Sequence, residues 1–237
     1  MDPAILIFDS AQAAAEACGD RILAILDEAR RLRGVATLAV SGGSTPRLMF
    51  QSMARRSFDW AGVGIYQVDE RCVPPDDEQS NFRMIRESLL SQVPIADFQF
   101  HRVAGELPPE EAARDYENDI RGSMKLAAGE LPVFDVIQRG MGPDAHTASL
   151  FPGEPLISDR TGIAAAVWVE KMKQHRVTLL RGVLESARHT LCLATGAEKA
   201  AALLAVLRGP YDPLQTPSQI ASPDMAWYID KDAAGRI

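Results

Sequence analysis

The chain has 237 residues, of which 46% are hydrophobic and 24% are charged, and its formal net charge is −7. These proportions are ordinary for a globular protein with enough chain to bury a core. The negative charge argues against general nucleic-acid binding, which needs a basic face. Cys18, Cys72 and Cys192 are odd in number and far apart, so we expect neither a disulfide framework nor a zinc site, and a reducing cytoplasm.

Targeting and membrane signals are also missing from the sequence. The first ten residues, MDPAILIFDS, contain no basic region and only a short apolar run, so we expect no signal peptide. No apolar run approaches the roughly 18 residues that a membrane span needs. We therefore predict one domain over residues 1–237 that has no membrane partner, and the sequence leaves its oligomeric state open.

The chain begins as an alternation of strands and helices. An apolar run at residues 5–8 predicts a strand, and Ser10 is a good cap for the helix that follows. Apolar residues recur at helical spacing as far as about Arg33, which predicts one face packed on a sheet. Gly34 should end this helix.

A glycine-rich turn follows the second predicted strand, residues 35–40. A helix should begin near Pro46, so Gly42, Gly43, Ser44 and Thr45 lie between a strand and a helix start. Such a turn can cradle phosphate, because glycines let backbone N–H groups approach, hydroxyls donate and the helix dipole favours an anion. An ordinary turn with a hydroxyl cap explains the pattern equally well, and the P-loop pattern is absent.

Charged residues end the third predicted strand, residues 63–68. Asp69 and Arg71 are candidate ligands, because carboxylates bind sugar hydroxyls and a guanidinium binds phosphate. Charges also occur at strand ends without any function. Further along the chain, the pattern predicts a helix from Ser80 to about Leu90, a strand at 98–103 and a solvated helix at 108–128.

Residues 134–153, FDVIQRGMGPDAHTASLFPG, carry the candidate catalytic groups. An apolar run at 134–137 predicts a buried strand, glycines break it, and Asp144 and His146 follow. Open α/β sheets place ligands at this carboxyl edge, and histidine can take and return a proton near neutral pH. A structural or merely exposed histidine is the alternative.

The same glycines imitate a dinucleotide-binding fingerprint. Gly140, Gly142 and Ala145 have its spacing, and Asp159 lies near the distance of its ribose-binding acid. We reject this match, because the Pro-Gly pair at 152–153 ends any helix after about two turns, too early for a crossover helix.

The last third of the chain predicts strands at 164–169, 189–194 and 225–229, and basic residues that include Arg176 crowd the start of another. The strand at 189–194 leads into a glycine turn and a helix through Leu207. Lys199 in its first turn opposes the helix dipole, which a bound anion would explain. A solvated lysine is the alternative.

Together these elements predict the α/β class, with a Rossmann-like open, mostly parallel sheet and helices on both faces. Candidate groups follow several strands, at 41–46, 69–71, 140–149 and 195–199, as a site along one carboxyl edge requires. Neither H-E-x-x-H nor clustered His and Cys is present, so we expect no metal and no cofactor.

Several motifs resemble those of the 6-phosphogluconolactonases. GMGPDAHTASLFPG resembles their signature, with Ala145 where that family has Gly; a positive φ there would cost Ala on the order of 1–2 kcal/mol. SGGSTP resembles the motif shared with glucosamine-6-phosphate deaminases, and the segments VDERCVP to SNF, RVT and GAEK are also similar. Two departures are the pairs 138–139, where apolar residues are usual, and 181–182. The resemblance implies that Ser44, Thr45, Arg71, Arg176 and Lys199 hold the sugar phosphate.

This resemblance, together with the residue chemistry, implies hydrolysis of 6-phospho-D-glucono-1,5-lactone in the oxidative pentose phosphate pathway, with that small phosphorylated lactone as the partner. His146 would take a proton from the attacking water and return it to the ring oxygen. Asp144 would orient the imidazole or bind a hydroxyl, and N–H groups near Gly142 would stabilise the oxyanion. No G-x-S-x-G elbow is present, which argues against an acyl-enzyme.

Two rival functions stay open. An amino-sugar phosphate deaminase shares the glycine-serine turn, but that family continues its histidine motif with Asn-Glu-Pro-Gly, where this chain has Ser-Leu-Phe-Pro-Gly. The other rival is a non-catalytic sugar-phosphate sensor. Such regulators usually carry a basic recognition helix, which this sequence lacks.

Overall fold

The computed structural model describes residues 3–237, so the first two residues of the predicted domain lie outside it. That range contains ten strands and six α-helices. The strands are β1 Ala4–Phe8, β2 Ala36–Val40, β3 Val63–Gln67, β4 Asp69–Arg71, β5 Phe100–His101, β6 Val136–Arg139, β7 Ala164–Val169, β8 Gln174–Leu179, β9 His189–Ala194 and β10 Met225–Asp230. The helices are α1 Ala11–Arg33, α2 Ser44–Ala54, α3 Asn81–Ser88, α4 Pro109–Ser123, α5 Arg181–Ser186 and α6 Ala200–Arg208.

Seven strands form one parallel sheet in the order β1-β10-β9-β6-β2-β3-β5. Alternate residues of its central strands pack on opposite faces. Leu38 and Val136 contact the core under α1 and α2, whereas their neighbours Ala39 and Ile137 contact the core under α4. Helices therefore cover both faces, and the predicted Rossmann-like, mostly parallel α/β fold is confirmed.

The parallel arrangement decides where the loops meet. β6 lies between β2 and β9, so the carboxyl ends of these three strands are adjacent. The turn at 41–46 follows β2, the loop at 140–149 follows β6 and the turn at 195–199 follows β9. Three of the segments singled out in the sequence thus share one edge of the sheet.

A second sheet, antiparallel and three-stranded, has the order β4-β8-β7. The sequence analysis did not separate it from the main sheet. Val68 joins the two, because its N–H donates to Val40 O and its carbonyl accepts from Leu179 N, both at 2.8 Å. Asp69 and Arg71 consequently lie on a short strand that pairs with β8, where the sequence suggested only the end of a strand.

Local signals fixed some boundaries well and others poorly. Ser10 caps α1 by accepting from Ala13 N, and Gly34 ends it in a left-handed conformation, as predicted. α4 ends five residues earlier than predicted, because Lys125 has φ 54 and leaves the helical conformation. The predicted strand at 98–103 is reduced to β5, since residues 97–99 form a 3₁₀ turn. None of the helices in residues 3–237 has the length and apolarity required to cross a membrane.

Candidate active site

A cavity of about 790 Å³ opens at the shared strand edge, which is a typical size for a small-molecule site. Ten predicted site residues line it: Gly42, Gly43, Ser44, Thr45, Asp69, Arg71, Gly142, His146, Arg176 and Lys199. The eleventh, Asp144, lines a neighbouring cavity of about 340 Å³ and meets the first through its contact with His146. The structure therefore gathers every predicted site residue into one region.

The loop after β6 is folded tightly around its own backbone. Gly142 N donates to His146 O at 2.9 Å, and Ala145 N donates to Gly142 O at 3.0 Å. Ala145 has φ 65 and Ala148 has φ 52, so both occupy the left-handed region. The positive φ considered for Ala145 is thus present, and it costs an alanine about 1–2 kcal/mol. The loop needs other contacts to offset this strain.

Asp144 and His146 form a hydrogen-bonded pair on this loop. His146 Nδ1 lies 2.5 Å from Asp144 Oδ1, and Lys171 Nζ lies 3.3 Å from the other carboxylate oxygen. Because Nδ1 is engaged by the carboxylate, Nε2 is the ring nitrogen available to a water molecule or a substrate. Of the two roles considered for Asp144, this geometry favours orienting the imidazole.

Burial and charge set the ionisation of this pair. Burial lowers the pKa of His146 below its ordinary value, and the nearby charge of Arg176 acts in the same direction. Asp144 opposes this shift but does not cancel it. Burial works against the Asp144 carboxylate, yet its hydrogen bonds from His146 and Lys171 bring its pKa below the ordinary value. A neutral imidazole beside an ionised carboxylate is the favoured state at neutral pH.

Two side chains not predicted for the site contact the His146 ring and charged groups beside it. The ring of Phe151 stacks on His146 with centroids 4.1 Å apart, and the Arg176 guanidinium lies 5.8 Å from the same Phe151 ring. Ser149 Oγ donates to Asp69 Oδ2 at 2.7 Å. Phe151 and Ser149 lie in the central stretch of the sequence, but no spacing rule indicates these contacts.

The short strand β4 aims two charges into the cavity. Alternation along a strand puts Asp69 and Arg71 on one face and Glu70 on the other. The Glu70 carboxylate accepts five hydrogen bonds, among them those of Asn81 N and Phe82 N, so the strand is pinned from behind. Burial raises the pKa of Glu70, although these donors oppose the shift.

Arg71 and Arg176 are directly opposite each other in the β4–β8 register. The Nε of each is buried and has no hydrogen-bond partner within residues 3–237. Burial lowers the pKa of Arg176, and the like charge of Arg71 adds to the effect. Two adjacent guanidiniums with unused donors at a cavity wall make a favourable place for an anion.

The two glycine turns meet at another part of the cavity lining. Thr45 Oγ1 lies 2.8 Å from Thr195 Oγ1, which joins the turn after β2 to the turn after β9. Gly43 and Gly196 have φ 122 and φ 98, conformations that favour glycine. Lys199 lies in the 3₁₀ turn that leads into α6. The turns thus bring backbone N–H groups, hydroxyls and an ammonium group to one place.

Asn81 is a neighbour of this cradle that the sequence analysis did not assign to the site. Its Nδ2 donates to Asp69 O at 2.9 Å, and a Cβ added at Gly42 would lie 1.8 Å from its Oδ1. Gly42 is therefore required by close approach of a side chain. The only sequence signal for Asn81 was its place in the SNF motif. The described part of the chain contains no group of three His, Cys, Asp or Glu side chains suited to hold a metal.

An open α/β sheet with an imidazole–carboxylate pair and an anion cradle at its edge places this chain among the α/β proteins that bind a small molecule at the sheet edge. Residues 9–228 match the family described as glucosamine-6-phosphate isomerases/6-phosphogluconolactonase. The chain is 34% identical over 208 residues to the 6-phosphogluconolactonase of Synechocystis, covering 86% of each protein. It is 36% identical over 208 residues to that of Treponema pallidum, covering 86% of this chain and 84% of that one.

Solved structures agree with the sequence comparison. The 6-phosphogluconolactonase structure from Trypanosoma brucei superposes with a TM-score of 0.89 at 25% identity, over 100% of this chain and 99% of that one. The chain belongs to the glucosamine-6-phosphate isomerase/6-phosphogluconolactonase family, as its motifs predicted.

Proposed function

We propose that this chain hydrolyses 6-phospho-D-glucono-1,5-lactone to 6-phospho-D-gluconate, the second step of the oxidative pentose phosphate pathway. Its family and the relatives named 6-phosphogluconolactonase support a lactone-hydrolysing enzyme. The observation that carries the proposal is the His146–Asp144 pair at a cavity that Arg71, Arg176 and Lys199 also line. A cytoplasmic location remains a prediction from the cysteine pattern.

His146 acts as the general base in this proposal. Neutral Nε2 takes a proton from water as the water oxygen bonds to C1 of the lactone. Asp144 holds Nδ1 and stabilises the imidazolium that forms, as the acid of a catalytic triad does. When the C1–ring oxygen bond breaks, the imidazolium returns the proton to that oxygen. Backbone N–H groups near Gly142, other than those of Gly142 and Ala145, which donate within the loop, would stabilise the oxyanion between these steps.

The cations bind the phosphate away from the reacting carbon. The helix start at Ser44 and Thr45, together with Lys199, supplies donors and positive charge, and Arg71 and Arg176 add guanidinium groups. This local charge lets a chain of net charge −7 attract an anionic substrate. Fixing the phosphate orients C1 beside His146, which is the contribution of remote binding groups to rate.

The direct test is a coupled assay with freshly generated lactone, corrected for its spontaneous opening. His146→Gln should reduce opening to the spontaneous rate and still bind 6-phosphogluconate in calorimetry. The matched control is His101→Gln, because His101 also pairs with an aspartate, Asp119 at 2.8 Å, but does not line the cavity. Unchanged turnover in His146→Gln would remove this residue from its role.

The same preparation distinguishes the rival functions. A deaminase would release ammonia from glucosamine 6-phosphate, and we expect none, because Ser149 follows the histidine motif where deaminases have Asn. If the chain is a non-catalytic sensor, the wild-type protein would bind the product but would not open the lactone above the spontaneous rate. Either result would replace the proposed function.

A further inference from the structure

A 3₁₀ turn at Pro217–Gln219 packs against the loop at 140–149, which carries His146. Its central residue, Ser218, is 1% exposed and does not line the main cavity. Ser218 N donates to Ala145 O at 3.0 Å, and Ser218 Oγ donates to His146 O at 3.1 Å. Packing of the turn against its neighbours does not by itself account for these two hydrogen bonds.

These two carbonyls belong to the peptide groups on either side of the His146 α-carbon. A peptide group is planar, so a hydrogen bond to each carbonyl restricts the planes that the two groups can adopt. Restricting both planes restricts φ and ψ of His146, and with them the direction in which its side chain leaves the backbone. Ser218 therefore restrains where the imidazole can lie, together with Gly142 N, which also donates to His146 O at 2.9 Å.

The preceding residue makes this restraint necessary. Ala145 is held at φ 65, a left-handed conformation that is strained for an alanine. Without an external hydrogen bond, the peptide after Ala145 could relax toward a lower-energy conformation and carry His146 with it. The hydrogen bonds from Ser218 oppose that relaxation.

Arg139 anchors the 217–220 segment to the sheet. This side chain is fully buried at the end of β6, and its Nη2 donates to Ile220 O. Nη1 lies 3.4 Å from Thr147 Oγ1, next to His146, while Nε has no partner within the described residues. A buried guanidinium held by uncharged partners costs several kcal/mol. Packing alone does not explain why an arginine occupies this buried position, whereas a role in anchoring the 217–220 segment does.

We propose that Ser218 is a positioning residue for His146, and that Arg139 holds the Ser218 segment in register with the loop. The effect on rate rests on the proposed lactone hydrolysis, whereas the effect on the ring does not. Ser218 touches neither substrate nor reacting atoms and acts only through the backbone of residues 145 and 146.

The first test is Ser218→Ala, which keeps the backbone N–H bond and removes the hydroxyl bond. We expect kcat to fall about fivefold with KM within about twofold, because a misplacement of about 1 Å costs about 100-fold, and the bonds from Ser218 N to Ala145 O and from Gly142 N to His146 O remain. The control is Ser88→Ala, which removes a buried hydroxyl that donates to Met84 O at 2.6 Å in α3, away from the cavity. It should leave kcat unchanged.

The second test is Arg139→Met. Replacing a buried charge with an apolar side chain should leave the melting temperature unchanged or raise it, whereas kcat should fall several-fold. Together with Ser218→Ala, the loss should be smaller than the product of the two single losses, because both act on one segment. Independent, multiplicative losses would overturn the role given to Arg139.

A measurement that needs no substrate separates this inference from the proposed function. NMR titration of the His146 ring should give a different apparent pKa in Ser218→Ala than in wild type, and the same value in Ser88→Ala. An unchanged His146 titration and a kcat within about 1.5-fold of wild type would overturn the positioning role. A shifted titration in a chain without lactonase activity would support the positioning and refute the function.

Discussion

Adding one methyl group at Gly142 tests whether the position of the His146 ring sets the rate. A Cβ at this position would lie 2.0 Å from His146 Nδ1 and 2.6 Å from Asp144 Oδ1. Ordinary contacts begin at 3.4 Å, so Nδ1 must retreat by about 1.4 Å. The φ of Gly142 is not positive, so the backbone itself tolerates alanine.

The expected loss follows from this displacement. A misplacement of about 1 Å costs about 100-fold in rate, which corresponds to about 2.7 kcal/mol of activation free energy. The phosphate cradle is built from other segments, so KM should stay within about threefold. The perturbation thus falls on kcat.

The assay is steady-state lactone opening by Gly142→Ala and by a matched variant, Gly140→Ala. A Cβ at Gly140 would have its nearest contact at 3.8 Å, from Leu193 O, which is an ordinary distance. Gly140→Ala should therefore keep kcat within about twofold of wild type. If Gly142→Ala retains more than half of the wild-type kcat, or if both variants lose rate equally, the argument from ring position is wrong.

Three further predictions concern the cradle, the base and the pinned strand. Gly42→Ala should raise KM about tenfold with little change in kcat, because its Cβ would displace Asn81 from beside the cradle; a change confined to kcat would contradict this. The pH profile of kcat/KM should fall on the acid side with a midpoint below about 6.5, because burial lowers the pKa of His146 and only the neutral ring accepts a proton; a midpoint above that value would refute it. Glu70→Gln should lower the free energy of unfolding in urea by about 2–4 kcal/mol, because an amide NH₂ would face donors, whereas the exposed Glu87→Gln should leave it nearly unchanged; equal effects would disprove the pinning.

Several strands could be predicted from local sequence alone. The runs at 164–169 and 189–194 match β7 of the small sheet and β9 of the main sheet residue for residue, since apolar stretches bounded by turns leave few alternatives. The strand predicted at 134–137 lies at 136–139 instead. Its charged and amide residues, Gln138 and Arg139, resemble loop residues, yet both are fully buried.

The second sheet was not recognised as separate, because nothing local shows that β4 pairs with β8. β4 contains only three residues, all charged, and its partner β8 lies about a hundred positions later in the chain. The helix α5 was missed for a related reason: Arg181 and Gly182 looked like an interruption of the family pattern, but they open a six-residue helix. Pairing across the chain decides β4, and periodicity carries no information about that pairing.

The candidate site divides in the same way. Candidate residues such as His146 and Lys199 could be proposed from the sequence because their type and their place after a strand have a physical meaning, and both line the main cavity. Those that hold them in place, Asn81, Phe151 and Ser218, could not, because their roles exist only as tertiary contacts. Their residue types are common and their positions follow no motif.

The contact between Thr45 and Thr195 has a consequence for refolding. These hydroxyls meet across 150 positions of the chain, so the anion cradle does not exist until strands from both halves have docked. Contacts this distant in sequence form late, because closing long loops is entropically unfavourable. After dilution from denaturant, helical circular dichroism should recover first, and the capacity to turn over substrate should recover later. Recovery of activity would therefore report the final assembly of the sheet.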